Sequence, residues 1–250
     1  MNVTCICVTY NRPTMLGRAI HCFLQQTDPN ARLLILDDAG QYEAQGGPNW
    51  QLCSTSQRYL TLGDKRNAAI ERAIHYWPET DGLMSWDDDD VYWPWATLAI
   101  GAALERGPWA QPSVVYEPRD RGDLSGLRRV LTYKVACPKL KAYGGSWAWK
   151  RKTFETLGGY PHISNGEDQR LALRALDRVG PAVDPVCDQY PEPYYLYNRR
   201  PRGEHISDLP DAYTERGRAD IERVSALTIG WNGPNIHELP IKPGVDPRPW

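Results

Sequence analysis

The amino-acid sequence predicts an α/β fold in which helices flank a mostly parallel central sheet. Short apolar runs alternate with amphipathic stretches through residues 1 to 90, and the apolar runs end in polar or acidic residues. Strand, helix, strand, helix, strand is the order of βαβ units, whose strands are parallel. The chain has 250 residues, of which 41% are hydrophobic, so it can bury the core that such a sheet needs.

Three apolar runs have the length and composition of buried strands: VTCICV (3–8), ARLLILDDAG (31–40) and GLMSWDDDD (82–90). The stretches between them carry apolar residues at helical spacing: RPTMLGRAIHCFLQQT (12–27) and GDKRNAAIERAIHYW (63–77). Pro13 stands near the start of the first of these helices, where its missing N–H costs no hydrogen bond. Residues 1 to 90 therefore predict three parallel strands joined by two helices.

The second half of the chain predicts a less regular set of elements. Strands are predicted at SVVYEPR (113–119) and RVLTYKVA (129–136). A strand followed by a helix is predicted over GGSWAWKRKTFETLGGYP (144–161). Helical patterns occur in three further stretches, WATLAIGAALERG (95–107), NGEDQRLALRALDRVG (165–180) and residues 211–229. The end of the chain is rich in proline and glycine, which indicates a tail on the surface.

Composition and charge argue against several classes of function, without excluding nucleic-acid binding. The formal net charge is −2, so no overall basic field draws the chain to nucleic acid. No stretch approaches the roughly 20 apolar residues of a membrane span, and the N-terminus lacks the pattern of a signal peptide. No CxxC pair occurs, which favours reduced core residues for Cys5, Cys7, Cys22, Cys53, Cys137 and Cys187. These observations predict a cytoplasmic protein.

Polar side chains follow each of the three predicted parallel strands. Thr9 follows the first strand, Asp37 and Asp38 the second, and Asp87–Asp90 the third. In open α/β sheets, ligands bind beyond the carboxyl ends of the strands. Four adjacent carboxylates repel one another unless water or a cation relieves them. The sequence therefore predicts a cation site at this edge of the sheet, with a solvated acidic turn as the alternative.

Six blocks in this order resemble the GT-A glycosyltransferases of the family 2 type: VTYNRP, LLILDDAG, KRNAAI, WDDDDVYWP, GGSWAWKRKTFETLGGYP and GEDQRLALRAL. The resemblance covers residues 3–207. It implies the Rossmann-like GT-A fold, a mostly parallel sheet flanked by helices, with a small C-terminal helical or irregular extension. The catalytic domain would span 1–207, with a nucleotide-sugar-binding half (1–100) and an acceptor-binding half (101–207). A helix and a proline-rich tail would follow over 208–250.

The resemblance implies a divalent cation at the run of aspartates. Such enzymes transfer a sugar from a nucleoside diphosphate, and the cation neutralises the charge that grows on the leaving diphosphate. Hard carboxylate ligands suit Mn²⁺ or Mg²⁺. Asp89 is expected to bind the metal directly, and Asp87 to bind the metal or the donor ribose. Asp90 is expected to cap the following turn or helix.

The stretch YNRRPRGEHIS resembles the segment that meets the diphosphate in this family. The resemblance implies His205 as an additional metal ligand, although a lone histidine in a loop is more often structural or solvated. The arginines of the same stretch are expected to pair with phosphate: Arg199, Arg200 or Arg202.

The resemblance also implies which residues bind the nucleotide sugar. Asp38, with Asp37 beside it, matches the carboxylate that hydrogen-bonds the base, and the first loop is expected to touch the base and ribose. Arg66 is expected to reach a phosphate or the base. A helix cap or a surface ion pair is the alternative for these residues. The full set is Thr9, Tyr10, Arg12, Asp37, Asp38, Arg66, Asn67, Asp87 and Asp88.

Asp168 in the GED block matches the family's catalytic base, and Glu167 is expected to orient the acceptor or the base. An inverting transfer needs a carboxylate that takes the acceptor's proton as the acceptor oxygen attacks the anomeric carbon. The alternative is that both acids only favour a helix N-terminus. The GGSWAW block is expected to form part of the acceptor wall at Gly145. Trp147 or Trp149 would then stack on an acceptor ring, with core packing as the alternative.

Two other functions are compatible with parts of the sequence. A nucleotidyltransferase uses a similar sheet with Mg²⁺, but VTYNRPTML lacks the glycine-rich phosphate loop of that class. A non-catalytic nucleotide- or carbohydrate-binding protein would have no need of Asp168 as a base. The expected donor is a UDP-sugar, and the acceptor stays open among a glycan, a lipid-linked sugar, a protein and a modified nucleic-acid base. The lack of a membrane segment favours a soluble enzyme that makes a single transfer.

Overall fold

A computed structural model of the chain describes residues 1–118, 127–131 and 143–198. In these ranges the strands, in chain order, are β1 (Val3–Thr9), β2 (Arg32–Asp37), β3 (Gln45–Gly47), β4 (Trp50–Ser54), β5 (Gly82–Ser85), β6 (Val91–Tyr92), β7 (Trp109–Ala110), β8 (Val114–Pro118), β9 (Leu127–Leu131), β10 (Ala148–Lys150) and β11 (Tyr195–Leu196). The helices are α1 (Pro13–Leu24), α2 (Leu62–Tyr76), α3 (Ala96–Arg106), α4 (Arg151–Thr156) and α5 (Glu167–Val179), and a 3-10 turn spans Gly144–Ser146.

Seven strands form the main sheet in the order β3-β4-β2-β1-β5-β10-β7. Its centre is parallel, because β4, β2, β1 and β5 all run in one direction. β3 and β10 join this centre in antiparallel orientation, and β7 follows β10 at the edge. A smaller sheet has the order β6-β11-β8-β9. The mostly parallel central sheet flanked by helices confirms the predicted fold class.

Both faces of the main sheet are buried, which explains why its central strands read as continuous apolar runs. In β1, Cys5 and Cys7 belong to one core cluster and Ile6 belongs to the other. Residues of α1 and α3 complete the first cluster, and residues of α2, α4 and α5 complete the second. The helices therefore cover the sheet from both sides and leave the carboxyl ends of β1, β2 and β5 to form a site.

Two helix starts place side chains at this edge of the sheet. α5 begins after Gly166, whose φ of 72° is a left-handed conformation that costs glycine little. Glu167 and Asp168 occupy the first turn of α5, where the helix dipole favours negative charge. α2 begins after Thr61, whose Oγ1 accepts a hydrogen bond from the backbone N–H of Asp64 (3.0 Å).

The structure differs from the sequence prediction in several places, among them the short strands β6, β7 and β11, which were not predicted. The hairpin of β3 and β4 was not predicted, because β3 is a short, glycine-containing edge strand with little apolar character. β5 ends at Ser85, so the aspartates form a loop beyond the strand. The predicted strand 129–136 overlaps β9 and continues beyond the described residues.

The predicted helix 211–229, the proline-rich tail and the proposed boundary between 207 and 208 also lie outside the described part of the chain. The division into domains therefore stays a prediction. Within residues 1–118, 127–131 and 143–198, none of the helices combines the length and the hydrophobicity that crossing a membrane requires.

Candidate functional site

The loop after β1 is held against the run of aspartates by buried polar contacts. Thr9 Oγ1 donates to Asp88 Oδ2 (2.6 Å), and Arg12 Nη1 donates to Asp88 Oδ1 (2.7 Å). Arg12 Nη1 also lies 3.2 Å from Asp89 Oδ2. Because these groups are buried, the ion pairs neutralise charges that would otherwise be costly. Asp88 therefore connects two strand ends, and its observed partners are protein groups.

Asp37 and Asp38, the two acids after β2, have different surroundings. Asp37 accepts hydrogen bonds from Ser54 Oγ (2.7 Å) and from the backbone N–H groups of Ala39 (3.1 Å) and Gln41 (3.3 Å). Burial raises the pKa of Asp37 in spite of these hydrogen bonds. Asp37 therefore organises its own loop, and its observed partners are protein groups.

Asp38 lies beside the predicted base-binding loop. Its Oδ1 accepts from Lys65 Nζ and from Arg58 Nη1 (2.7 Å), and its Oδ2 accepts from the backbone N–H of Tyr59 (3.3 Å). The Arg58 guanidinium also lies over the Tyr10 ring, 3.6 Å from its centre. The structure thus brings Tyr10 and Asp38 together through Arg58, a residue that the sequence did not single out.

Arg66 joins the acids that follow β5 to those of α5. Arg66 Nη2 donates to Asp87 Oδ1 (3.3 Å), and Arg66 Nε lies 3.2 Å from Glu167 Oε1 in an ion pair. The guanidinium carbon lies 5.6 Å from the centre of the Tyr160 ring, which is within cation–π range. Arg66 is 8% exposed, so these contacts are formed inside the protein. The observed position of Arg66 is a bridge between two predicted functional carboxylates.

The pKa values of the two bridged carboxyls are raised. Burial raises the pKa of Asp87 to about 6; Arg66 opposes this rise, and the negative charges of Asp89 and Asp88 add to it. Burial raises the pKa of Glu167 to about 7, again opposed by Arg66 and reinforced by Asp168. Clusters of carboxyls with raised pKa values are typical of functional sites. One guanidinium does not fully compensate the negative charge gathered here.

The 3-10 turn Gly144–Ser146 lies against both Asp87 and Asp168. A Cβ atom placed on Gly144 would be 1.8 Å from Asp168 Oδ2, and one placed on Gly145 would be 2.4 Å from Asp87 Oδ2. The Tyr92 hydroxyl accepts a hydrogen bond from the backbone N–H of Asp87 (2.7 Å) and donates one to the carbonyl of Gly145 (2.8 Å). The predicted donor-side and acceptor-side acids therefore lie on either side of two glycines.

The end of the aspartate run is bound by residues from the C-terminal side of the described chain. Asp90 accepts hydrogen bonds from the Tyr195 hydroxyl and from the backbone N–H of Asn198 (2.9 Å). Asn198 Nδ2 also donates to the carbonyl of Asp89 (2.9 Å). This corrects the expectation that Asp90 caps the following turn or helix, because its carboxylate instead anchors β11 and the residues after it. Arg18 adds a further hydrogen bond to the carbonyl of Asp89.

The two tryptophans predicted to stack on an acceptor are core residues. Trp147 and Trp149 are each 1% exposed. Both pack against Trp109, with ring centres 6.4 Å apart for Trp147 and 5.0 Å apart for the stacked Trp149. A ring that is covered on both faces offers no surface to a sugar. The structure corrects this assignment and leaves Gly145 as the residue of the predicted acceptor wall that lies next to one of the predicted site acids, Asp87.

Asn67 contacts the loop before α5, and His205 lies outside the described part of the chain. Asn67 forms a pair of hydrogen bonds with the backbone of Tyr160, with Nδ2 donating to its carbonyl (2.9 Å) and Oδ1 accepting from its N–H (2.9 Å). This contact gives Asn67 a structural function in fixing the loop before α5. His205, like the arginines at 199, 200 and 202, lies outside the described residues.

The carboxylates near Asp87 fit a divalent cation that is shared with a ligand. No group of three or more histidine, cysteine, aspartate or glutamate residues converges as a metal site in the described part of the chain. Asp87 and Asp89 offer two carboxylates, and the Asp87 side chain is the more exposed, at 27% against 9%. Mg²⁺ and Mn²⁺ suit sites of one or two carboxylates that are completed by substrate phosphates and water. These two carboxylates therefore suit Mg²⁺ or Mn²⁺, and the coordination of the ion would be completed by a bound ligand and water.

Several residues that contact the site were not predicted from the sequence. Gly144 and Tyr92 lie inside the blocks that were singled out, so proximity in sequence was an available signal. Arg58 is one of many surface-type arginines, and Tyr195 and Asn198 reach the aspartates from more than 100 positions away in sequence. Nothing in the local sequence around these three residues indicates the contacts that they form.

Solved structures with a similar fold include a glycosyltransferase from S. aureus, TarS residues 1–349 in complex with UDP-GlcNAc. It has a TM-score of 0.59 and 15% sequence identity, over 90% of this chain and 66% of that one. GalNAc-T7 in complex with UDP, GalNAc and Mn²⁺ has a TM-score of 0.55 and 16% identity, over 92% of this chain and 52% of that one. No protein-family model and no curated protein sequence matches the chain.

These likenesses establish the class of fold. TarS and GalNAc-T7 are GT-A enzymes, and the order of strands and helices in this chain follows the same Rossmann-like plan. The chain therefore has the GT-A fold, as the resemblance implied. It spans 66% of the TarS fragment and about half of GalNAc-T7. The ligands in those structures are therefore properties of those proteins, and the similarity does not assign them to this chain.

Proposed function

We propose that the chain is an inverting, metal-dependent glycosyltransferase that uses a nucleoside diphosphate sugar, with a UDP-sugar as the first choice. The observation that carries the proposal is the meeting of Asp87 and Asp168 at one turn, with Arg66 joining Asp87 to Glu167 behind them. In glycosyl transfer the anomeric carbon passes from a diphosphate oxygen to the acceptor oxygen. The acid on the donor side and the acid on the acceptor side must therefore both lie near that carbon. Complexes of the similar structures with UDP-GlcNAc and with UDP and Mn²⁺ support the choice of donor and metal.

Asp168 is the group that we assign as general base. The acceptor hydroxyl would attack the anomeric carbon, the bond from that carbon to the diphosphate would break, and Asp168 would receive the hydroxyl proton. Its position in the first turn of α5 leaves the side chain half-buried and within reach of a ligand. Glu167 has a pKa raised to about 7 and contacts Arg66, so we assign it to positioning the site rather than to proton transfer.

On the donor side, Asp87 and Asp89 are the residues that would hold Mn²⁺ or Mg²⁺. When bound, the ion supplies charge neutralisation to the diphosphate leaving group. Asp88 and Arg12 form a buried pair that connects the loop after β1 to the aspartate run, and Asn198 fixes the backbone of Asp89 from the other side. The protein thus contributes a rigid frame in which Asp87 and Asp89 keep their positions without a ligand.

Binding of the donor is tested first by thermal shift. The melting temperature of the chain is measured with UDP-, GDP-, TDP- and CDP-sugars, each with and without Mn²⁺ or Mg²⁺. A ligand that binds only the folded state raises its stability by mass action, so one donor should give a cation-dependent increase. No increase with any of these donors, in protein shown to be folded, would contradict the proposal. Release of pyrophosphate from a nucleoside triphosphate would indicate a nucleotidyltransferase instead.

Catalysis is tested with Asp168→Asn. We expect kcat to fall by about 100- to 10,000-fold, the usual contribution of a general base, while the dissociation constant of the donor stays the same. The matched control is Asp177→Asn, which makes the same change at an exposed position of the same helix and should leave kcat unchanged. Full turnover by Asp168→Asn would remove Asp168 from the mechanism. Donor binding without turnover in the unmodified chain would indicate a binding protein.

A further inference from the structure

We infer that Gly144 and Gly145 form a rigid spacer that sets the positions of the two functional acids, Gly144 for Asp168 and Gly145 for Asp87. The inference rests on the proposed function and assigns a positioning role to two adjacent residues. Each glycine is expected to control one half of the reaction, because each lies against a different carboxylate. The sequence predicted Gly145 as part of the acceptor wall and assigned no role to Gly144.

The space beside each glycine is occupied by the carboxylate itself. A Cβ atom on Gly144 would lie 1.8 Å from Asp168 Oδ2 and 2.7 Å from its Cγ. A Cβ atom on Gly145 would lie 2.4 Å from Asp87 Oδ2 and 3.0 Å from its Cγ. All four distances are far shorter than a van der Waals contact between heavy atoms, which begins at about 3.5 Å. Neither acid can keep its position if the glycine beside it gains a side chain.

The reason for glycine here is space and not backbone conformation. Neither Gly144 nor Gly145 has a positive φ, whereas Gly158, Gly159 and Gly166 do. Alanine could therefore adopt the same backbone at the turn without strain. A substitution at Gly144 would therefore act on the carboxylate of Asp168. A substitution at Gly145 would act first on Asp87 and also on the Tyr195 hydroxyl, which would lie 2.9 Å from the added Cβ atom.

The turn cannot easily move away from the acids. Tyr92 ties the carbonyl of Gly145 to the backbone of Asp87, as described above. The Tyr194 hydroxyl donates to the carbonyl of Ser146 (2.6 Å), and Ser146 Oγ donates to the carbonyl of Tyr143 (2.7 Å). Ser146 is fully buried. Because the turn is fixed at both ends, an added methyl group should displace a carboxylate and not the backbone.

Other glycines of the chain provide contrasts for the test. A Cβ atom on Gly63 would meet the backbone carbonyl oxygen of Pro161 at 1.9 Å, so substitution there should damage the fold. A Cβ atom on Gly101, inside α3, would meet no atom closer than 3.8 Å, so alanine fits there without displacement. Gly101→Ala is therefore the matched control for a glycine-to-alanine change that should have no effect on the site.

The test compares Gly144→Ala with Gly145→Ala. Binding of UDP with Mn²⁺ is measured by calorimetry, and release of UDP from UDP-GlcNAc in the presence of Mn²⁺ gives the turnover. For Gly144→Ala we expect kcat to fall by about 100-fold with an unchanged dissociation constant, because misplacing a catalytic group by about 1 Å has an effect of that size. For Gly145→Ala we expect the dissociation constant to rise by about 10- to 100-fold, as when the support of a metal ligand is lost.

One variant is expected to lose kcat and the other to lose affinity for UDP with Mn²⁺. A merely structural function of the two glycines would not produce this difference. Equal losses in kcat and in affinity for both variants, or values like those of the unmodified chain, would overturn the inference. Denaturant unfolding of both variants is measured beside Gly101→Ala, so that a loss through misfolding is recognised.

A crystal structure of each variant gives a readout that does not depend on turnover. We expect Gly144→Ala to displace the carboxylate of Asp168 and leave Asp87 in place, with the reverse in Gly145→Ala. Unmoved carboxylates beside a displaced turn would overturn the inference. If the unmodified chain binds no nucleotide, the proposed function fails, and these two structures still decide whether the glycines position the acids.

Discussion

Two clusters of buried and half-buried charges at the carboxyl edge of the sheet differ in the balance between acids and cations. The paired cluster consists of Arg12, Asp38, Arg58, Lys65 and Asp88. The Arg66 cluster consists of Arg66, Asp87, Glu167 and Asp168. In the paired cluster every carboxylate has a cationic partner at hydrogen-bond distance. In the Arg66 cluster three carboxylates are gathered around one guanidinium, among the residues that the structure describes.

The difference separates acids whose charge is compensated by protein cations from acids whose charge is compensated only in part. A buried carboxylate with a close cation is neutralised within the protein and has little to gain from a ligand. Burial without full compensation raises the pKa, as it does for Asp87, to about 6, and for Glu167, to about 7. The excess negative charge of the Arg66 cluster suits a divalent cation and a proton in transfer. The same run of aspartates therefore contributes to both clusters, with Asp88 in the compensated one and Asp87 in the one with excess negative charge.

The largest effect on stability is expected where the paired cluster loses an acid. Asp88→Asn leaves the buried guanidinium of Arg12 with Asp89, at 3.2 Å, as its one remaining counter-charge among the described residues. We expect the free energy of unfolding to fall by about 3 kcal/mol, the lower end for breaking a buried pair. Urea denaturation measures the change. The control is Glu155→Gln, which removes an exposed i,i+4 partner of Arg151 and should change stability by no more than about 0.5 kcal/mol. Equal effects of the two variants would contradict the distinction between the clusters.

The Arg66 cluster should respond to the same substitution with the opposite sign. Asp87→Asn removes a carboxylate that burial disfavours, so at neutral pH we expect the ligand-free protein to gain on the order of 1 kcal/mol of stability. The same variant should lose the stabilisation by Mn²⁺ and UDP that we expect for the unmodified chain. Thermal unfolding with and without these ligands checks both points. A destabilised ligand-free variant would show that Arg66 already compensates Asp87.

The raised pKa values also predict a dependence on pH. Between the ordinary pKa of a carboxyl and its raised value, the folded state binds more protons than the unfolded state, so stability falls as pH rises through this interval. For Asp87 and Glu167 this loss should continue up to about pH 6 and about pH 7. The difference in melting temperature between Glu167→Gln and the unmodified chain should therefore widen as pH rises. Binding of Mn²⁺ with UDP should strengthen over the same interval, because a metal ligand must be deprotonated.

The smallest effect is expected at the rim of the paired cluster. The Arg58 side chain is 25% exposed, and Arg58→Ala removes it as a partner of Asp38. Lys65 remains as a buried partner of Asp38. We expect a loss of about 0.5 to 1 kcal/mol, which is typical of a partly exposed pair with a cation–π contact. Lys65→Met, which removes the buried partner, should destabilise several-fold more in urea denaturation. Similar losses for both variants would mean that the exposure of the cation does not decide its contribution.

The fold was largely predictable because its signals are local. Apolar runs that end in polar residues predicted β1, β2 and β5, and helical spacing predicted α1, α2, α3 and α5. β3 carries no such signal, since a short edge strand of glutamine and glycine is stabilised by its pairing with β4 and not by its own side chains. The strand-end rule for open α/β sheets also predicted the edge of the sheet at which the acids gather in the structure.

The gathering of acids at the site was predictable from the sequence, whereas the places of individual residues were less so. The acids of the aspartate run and of α5 do lie together, but the tryptophans at 147 and 149 are buried in the core and not at an acceptor surface. A tryptophan is equally suited to either place, so its sequence context does not decide between them. Asp90 likewise anchors β11, although four adjacent aspartates look alike in sequence.

The sequence by itself determined the class of fold and the edge of the sheet where charge collects, since periodicity and strand ends depend on neighbouring residues. The tertiary structure alone decided which acids are compensated. Arg12 reaches Asp88 across 76 positions, and Asn198 reaches Asp90 across 108. The charge state of a buried carboxylate depends on such partners and on its distance from water, and both are properties of the folded chain.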